Sequence, residues 1–319
     1  MSRPRVVFMG TPAFAVPALG AVARCCDVVA VVTQPDRPRG RGRGVAASEV
    51  ALAALDLGLP VEKPADVGAG EVRERLAALA PDLFAVVAFG SILNPALLAV
   101  PRAGSVNLHG SLLPEYRGAS PVQRALWDGR AFTGVTTLFM DEGVDTGEMI
   151  LQRWLAIEPG DTAGTLTAKL ADLGAPLLAE SLLLAAAGRA PRRPQPAASG
   201  SYAGKLRKGD GTVDWAADAV TVWNRQRAVT PWPGATTLHD GRRLLVTAGW
   251  PHHRLPVPEA PGTVLAVTCG GVMVACAPGV LVVTRVKPEG RKEMGAAEWA
   301  RGARLAVGAR LAVGGEEAR

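Results

Sequence analysis

Short apolar runs, each too brief for a buried helix and each stopped by turn residues, constrain the fold of this chain more than any other feature. Val6-Val7-Phe8-Met9 is followed by Gly10, Thr11 and Pro12; Val28 to Val32 is a second run, and Leu83 to Ala88 a third, behind Pro81-Asp82. Continuous apolar runs of this length are strands covered on both faces, as in a parallel sheet. Thr11-Pro12 reads as a turn that opens a helix, and Val72, Leu76 and Leu79 recur at helical spacing. Leu166, Leu170, Leu173 and Leu177 form the stripe of a further helix, which Asp161 is placed to cap. Val106 to His109 and Val135 to Met140 add two strands. Strands alternating with helices predict an α/β, doubly wound, Rossmann-like and mostly parallel sheet, with ligands bound beyond the carboxyl ends of its strands.

The texture changes near residue 188. Gly188 to Gly200 is rich in Pro, Arg, Ala and Ser without an apolar period and reads as a linker. Beyond it come a helix around Val222 to Arg227 and short β-branched runs, Leu244 to Ala248, Thr263 to Thr268, Val272 to Cys276 and Val280 to Val286. Turn pairs such as Asp240-Gly241 and Gly270-Gly271 separate these runs, a spacing that suits a small β-barrel of OB-like type. The expected divisions are 1–187 for the α/β domain, 188–204 for the linker, 205–313 for the barrel and 314–319 for a frayed tail.

Charge follows the same division. The formal net charge is +6, yet residues 1–199 hold 19 basic and 19 acidic side chains, while residues 200–319 hold 16 basic and 10 acidic ones. A basic second domain beside a neutral first one fits a polyanionic partner. The four cysteines, Cys25, Cys26, Cys269 and Cys276, form neither a zinc pair nor a disulfide framework. Ala21-Val22-Ala23 mimics a signal-peptidase site, but Gly10, Pro12 and Pro17 break the preceding stretch where a strand turns into a helix. The apolar run in 175–187 contains Glu180 and is too short to span a bilayer. A cytoplasmic protein without membrane contact is expected.

The chemistry-bearing residues concentrate in Asn107-Leu108-His109-Gly110-Ser111-Leu112-Leu113-Pro114. In an extended chain Asn107 and His109 project from the same face, placing an amide donor beside an imidazole. The strand 135–140 runs into Asp141-Glu142-Gly143-Val144-Asp145-Thr146-Gly147. If both strands are parallel members of one sheet, both turns open at one edge, where an Asn, a His and an Asp converge. The other histidines, His239, His252 and His253, lie beside a predicted turn or among prolines. The single Gly10 in the first turn gives no G-x-G-x-x-G dinucleotide signature, and neither an H-E-x-x-H nor clustered Cys and His indicates a metal. Gln34 to Gly44 has no periodicity and reads as a loop that cannot be a regular element. Its Arg37, Arg39, Arg41 and Arg43 alternate with Pro or Gly, and their guanidinium forks suit phosphates and bases.

These motifs resemble the methionyl-tRNA formyltransferase family of folate-dependent formyltransferases across essentially the whole chain. The resemblance is carried by Val7-Phe8-Met9-Gly10-Thr11-Pro12, the insert from Gln34 to Gly42, Asn107 through Pro121, and Met140 through Gly147. In the second half it is carried by Tyr202 to Trp215 and by Val229-Thr230-Pro231-Trp232-Pro233-Gly234-Ala235. The chain departs from the family pattern at Phe89, where a Tyr is usual, and at Gly204, where a Pro is common. The resemblance implies that an amino group attacks the formyl carbon of 10-formyltetrahydrofolate, the co-substrate. Asn107 would donate to the carbonyl oxygen, His109 would accept the amine proton, and Asp145 would orient and support the imidazole. It further implies a folate site at Ser111, Leu112, Leu113 and Pro114 with Phe89 and Ile92, and no metal. The amine would be that of initiator Met-tRNA, gripped by Arg37, Arg39, Arg41, Arg43, Lys205, Arg207 and Lys208 of a monomer. The alternatives are a relative acting on a small amine, a deformylating hydrolase with the same triad, and a tRNA-binding protein with an inactive first domain. The Arg-rich insert and basic second domain count against the first two, and the complete Asn, His and Asp set counts against the last.

Overall fold

The computed structural model describes residues 3–39, 44–196, 200–252 and 257–313. The chain gathers into two compact units, neither contiguous in sequence. The first comprises Met1–Pro121, Phe132–Ala156 and Thr167–Ala203; the second comprises Val122–Ala131, Ile157–Leu166 and Gly204–Arg319.

The first unit contains β1 (Arg5–Gly10), β2 (Asp27–Val32), β3 (Arg37–Arg39), β4 (Gly44–Ala46), β5 (Val61–Glu62), β6 (Leu83–Val87), β7 (Ser105–His109), β8 (Phe132–Phe139) and β9 (Met149–Ala156). Among the described residues seven of these form one sheet in the order β5-β2-β1-β6-β7-β8-β9. The first five are parallel, as β1 pairs with β2 and β6, β2 with β5, and β6 with β7. Val6, Val7, Phe8 and Met9 on the central strand are wholly buried, which accounts for their unbroken apolar run. Around the sheet lie α1 (Val16–Cys25), α2 (Glu49–Asp56), α3 (Gly70–Ala78) and the single turn α4 (Pro95–Leu98). Val72 and Leu76 of α3 join Val7, Met9, Phe84 and Val86 in one apolar cluster. The chain then passes through α5 (Pro121–Trp127) and α6 (Ala163–Ala186). On α6 Leu166, Leu170 and Leu177 are buried as the stripe requires.

Three expectations are corrected. First, β8 runs antiparallel to β7, with Val106 opposite Phe139 and His109 opposite Thr136. A parallel return needs a crossover element packed on the sheet, whereas residues 122–131, including most of α5, belong to the second unit. Second, the ends of the Arg-rich insert are regular: β3 and β4 form an antiparallel ladder with Arg37 opposite Ala46 and Arg39 opposite Gly44. Backbone pairing over three residues requires no apolar period, and Pro38 is tolerated in a two-stranded ribbon with open edges. Third, the N-terminus of α6 is closed by Thr162 and Thr165, each hydroxyl accepting the other's backbone N–H at 3.3 and 2.9 Å. Asp161 instead accepts the Glu158 N–H at 2.9 Å and the Thr165 hydroxyl at 3.0 Å.

The second unit contains α7 (Ala219–Ala228), β10 (Ala235–His239), β11 (Arg242–His252), β12 (Val264–Thr268), β13 (Gly271–Ala275), β14 (Val280–Pro288), β15 (Met294–Gly295), α8 (Ala296–Gly302) and β16 (Ala312–Val313). Its antiparallel sheet has the order β12-β13-β14-β11-β10-β16, with β15 on β14. The residues before β16 bridge the two edges. Leu311 donates to Gly262 and Gly308 to Val264 at the β12 side, while Leu238 and Thr237 of β10 pair with Ala312 and Val313. The sheet is thereby curled into a barrel. Inside it Trp215 is 1% exposed, and its indole N–H donates to the Thr237 hydroxyl at 3.0 Å. The segment Ile157–Leu166 is held to this unit by Arg227, whose guanidinium donates to the Glu158 and Asp161 carbonyls and stacks 3.8 Å from the Trp223 ring. Burial pulls the Arg227 pKa down to about 10, opposed by the charge of Asp161. No helix among the described residues is long and apolar enough to cross a membrane.

Candidate active site

Along β7 the side chains alternate. Val106 and Leu108 go into the core, while Asn107 and His109 meet on the other face around one carboxylate. The Asn107 Nδ2 donates to Asp145 Oδ1 at 3.2 Å. Asp145 Oδ2 accepts the Gly118 backbone N–H at 2.8 Å and lies 3.4 Å from His109 Nδ1. The His109 side chain is 6% exposed and that of Asp145 15%, so the group is half-enclosed and its mutual interactions are weakly screened. The other ring nitrogen, His109 Nε2, lies 2.9 Å from the Tyr116 carbonyl. Both nitrogens thus face acceptors, and each neutral tautomer satisfies one of them. The Asn107 amide retains a second N–H for a ligand oxygen.

The antiparallel course of β8 changes how Asp145 arrives. Residues 140–148 leave β8 beside the start of β7, and the loop folds back across the sheet to reach Asn107 and His109. Several interactions shape it. Asp141 Oδ1 accepts from the Gly143 N–H at 3.1 Å and the Thr146 hydroxyl at 2.7 Å. At Gly147 a Cβ would overlap the Phe139 carbonyl oxygen, so the close turn excludes any side chain. Asp145 sits in the left-handed region at φ 54, which Asp tolerates better than most residues. The Gln195 Nε2 donates to the carbonyls of Asp145 and Gly147, both at 2.8 Å, while its Oε1 accepts from Arg117 Nε and Nη2 at 3.0 and 2.7 Å. Gly118, at φ 105, brings its N–H to Asp145, and a Cβ there would stand 2.7 Å from the Tyr202 ring.

The segment Ser111–Pro114 follows directly and is pinned from β8 and β9. Thr136 accepts the Leu113 N–H at 3.0 Å and donates its hydroxyl to the Ser111 carbonyl at 2.7 Å. Gln152 Nε2 donates to the Leu113 carbonyl at 2.9 Å. The Ser111 hydroxyl is buried and committed to the Glu115 carbonyl at 2.6 Å, and Leu113 and Phe89 are core residues. Ile92 is 85% exposed, and Leu112 and Pro114 keep part of their surface. A cavity of about 250 Å³ lies beyond β1 and β2, lined by Thr11, Gln34, Arg37 and Ser48 among others.

The basic residues are placed unevenly. Arg37 is exposed and donates to Gln34 Oε1 at 3.2 Å. Arg39 belongs to β3, but its side chain lies outside the described residues, as do Arg41 and Arg43 altogether. Lys205, Arg207 and Lys208 are exposed at the entry to the second unit. That unit also holds a cavity of about 630 Å³ lined by Arg242, Arg243, Arg291 and Trp299, which contains none of the Asn107, His109 and Asp145 group. Among the described residues no group of His, Cys, Asp and Glu could hold a metal ion. Sequence reading does not single out Arg117, Gly118 or Gln195; Arg117 and Gly118 fall within the block 107–121 and so carry some signal, whereas Gln195 carries none.

Comparison with known proteins matches residues 5–182 to the formyl transferase family model and residues 205–304 to the formyl transferase C-terminal domain. The methionyl-tRNA formyltransferase of Heliobacterium modesticaldum is 47% identical over 309 residues, covering 94% of this chain and 98% of that one. That of Myxococcus xanthus is 45% identical, covering 96% and 97%. Among solved structures, the N-formyltransferase of Helicobacter canadensis, in complex with folinic acid and dTDP-3-aminofucose, superposes with a TM-score of 0.64 at 18% identity over 89% of this chain and 99% of that one. HypX of Aquifex aeolicus in complex with tetrahydrofolic acid gives 0.63 at 17% identity, covering 96% of this chain and 48% of that one. At such identities these structures establish the fold.

Proposed function

The chain belongs to the methionyl-tRNA formyltransferase family, and on that premise we propose that it moves the formyl group of 10-formyltetrahydrofolate to the amino group of initiator Met-tRNA. The observation that carries the reading is the meeting of Asn107, His109 and Asp145 around one carboxylate, in a chain nearly half identical to enzymes of that name. The methionyl nitrogen attacks the formyl carbon, the carbon to N10 bond of the folate breaks, and the amine proton ends on N10. The second N–H of Asn107 meets the formyl oxygen as negative charge builds on it. His109 is the proton carrier: substrate entry draws Nε2 away from the Tyr116 carbonyl, freeing it to accept from the attacking amine while Asp145 supports the ring. Ile92, Leu112 and Pro114 offer apolar surface to the pteridine, and Ser111, Leu113 and Phe89 act by shaping the loop that presents them. Arg37, Arg39, Arg41, Arg43, Lys205, Arg207 and Lys208 serve the tRNA, and the protein acts as a monomer in the cytoplasm. Purified protein incubated with 10-formyltetrahydrofolate and with initiator or elongator Met-tRNA should yield formyl-methionine on the initiator. No product on either tRNA would overturn the reading.

A further inference from the structure

The group around His109 is completed by a residue 50 positions downstream of Asp145. Gln195 places its amide nitrogen 2.8 Å from two backbone carbonyls, those of Asp145 and Gly147, and its oxygen against two nitrogens of Arg117. Every polar atom of the side chain is used, and only one orientation of the amide serves, because the carbonyls need donors and the guanidinium needs an acceptor. Arg117 is fixed in turn: its N–H donates to the Ser201 carbonyl at 2.8 Å and its carbonyl accepts the Ala203 N–H at 2.6 Å. The two carbonyls belong to a loop that must hold Asp145 at φ 54, a conformation that relaxes unless its surroundings over-determine it. The carboxylate of that same residue receives Asn107 and the Gly118 N–H and faces His109.

We infer that Gln195 is a positioning residue for formyl transfer, clamping the backbone of Asp145 and Gly147 so that the Asp145 carboxylate is held against His109 and Asn107. The inference rests on the formyl-transfer reading for its catalytic consequence but not for the clamp itself. A side chain that fills space is replaceable by one of equal size. A clamp needs its two N–H donors. Gln195→Glu keeps the size and the acceptor for Arg117 while presenting oxygens to two carbonyls, so it should fail as Gln195→Ala does.

Two measurements test this. Hydrogen exchange at the Gly118 amide, which donates to Asp145, should speed up at least about tenfold in Gln195→Ala and Gln195→Glu if the carboxylate is released. Unchanged exchange in both variants overturns the clamp whatever the enzyme's substrate. In the formylation assay both variants should lose at least about tenfold in kcat with the KM for folate held within about twofold. Placed on an Asp145→Ala background, Gln195→Ala should cost less than about twofold, since the group it positions is already gone. An equal loss on both backgrounds, or parental kcat in Gln195→Glu, overturns the positioning role. A parent that forms no formyl-methionine sinks the functional reading alone, and the exchange result still decides the clamp.

Discussion

Asn107 and His109 owe their pairing to strand geometry: two residues apart on β7, they share a face, and this much is legible from the sequence. Replacing either with Ala should cut kcat for formylation at least about a hundredfold, the usual scale for losing an oxyanion donor or an acid-base group. Circular dichroism should show the fold intact, and near-parental turnover in either variant would remove it from the reacting group. Asp145→Asn should be severe as well, because it leaves the His109 ring without its charge. Sequence reasoning brings Asp145 to this place on a premise that does not hold. It has parallel strands opening at one edge, whereas β8 is antiparallel and the loop returns across the sheet. Gln195 is illegible for a different reason. Its hydrogen bonds span 48 to 78 residues, and a lone Gln among prolines and arginines carries no periodic or motif signal. Long-range pairing of polar side chains leaves no mark in local sequence.

At the scale of elements, continuous apolar runs expose the central strands and the spacing of leucines exposes α6, because burial on known faces writes itself into composition. Elements that depend on backbone pairing or on local caps escape such reading or are misplaced by it: the β3–β4 ladder, β9, β10 and α8 have short or mixed faces. One cap has a measurable signature. Asp218 accepts the N–H groups of Val220 and Thr221 at 3.0 Å each and the Thr221 hydroxyl at 2.6 Å at the start of α7. The Thr221 hydroxyl is the main cause of its lowered pKa, with burial opposing and the backbone N–H groups adding to it. A carboxyl with a depressed folded pKa stabilises fully above its unfolded value, about 3.9, and that stability is lost as pH falls through the folded value. Asp218→Ala should therefore lower stability to urea by about 1 kcal/mol at pH 7, and the difference from the parent should shrink as the pH drops below about 4. A gap that stays constant with pH would show that the carboxylate is not the cap. For the insert, replacing Arg39, Arg41 and Arg43 together with Ala should leave stability within about 0.5 kcal/mol and folate binding unchanged. Formylation of Met-tRNA should fall, and a triple variant as fast as the parent would free the insert from substrate recognition.

Over the whole molecule, the neutral 1–199 and basic 200–319 divide the electrostatic labour. Exposed Lys205, Arg207 and Lys208 stand at the entry to the basic half. Their joint replacement by Ala should weaken Met-tRNA binding and flatten its dependence on salt, by up to about one unit of log-log slope for each phosphate no longer neutralised. Titrations at several salt concentrations check this, and an unchanged slope would take these residues off the RNA. The interleaving of the two units is hidden from sequence reading, since composition shifts once, near 188, whereas the chain changes unit at residues 122, 132, 157, 167 and 204. For anyone splicing these proteins, this matters more than the compositional seam. A chimera joined once, at residue 204, would inherit Trp127, which packs on the barrel core, and the Glu158 and Asp161 carbonyls that receive Arg227 from one parent, and the barrel from the other. Recombination between relatives is therefore least disruptive when the exchanged cassette also carries 122–131 and 157–166, so that inheritance of the C-terminal half is set by three stretches of gene and not by one.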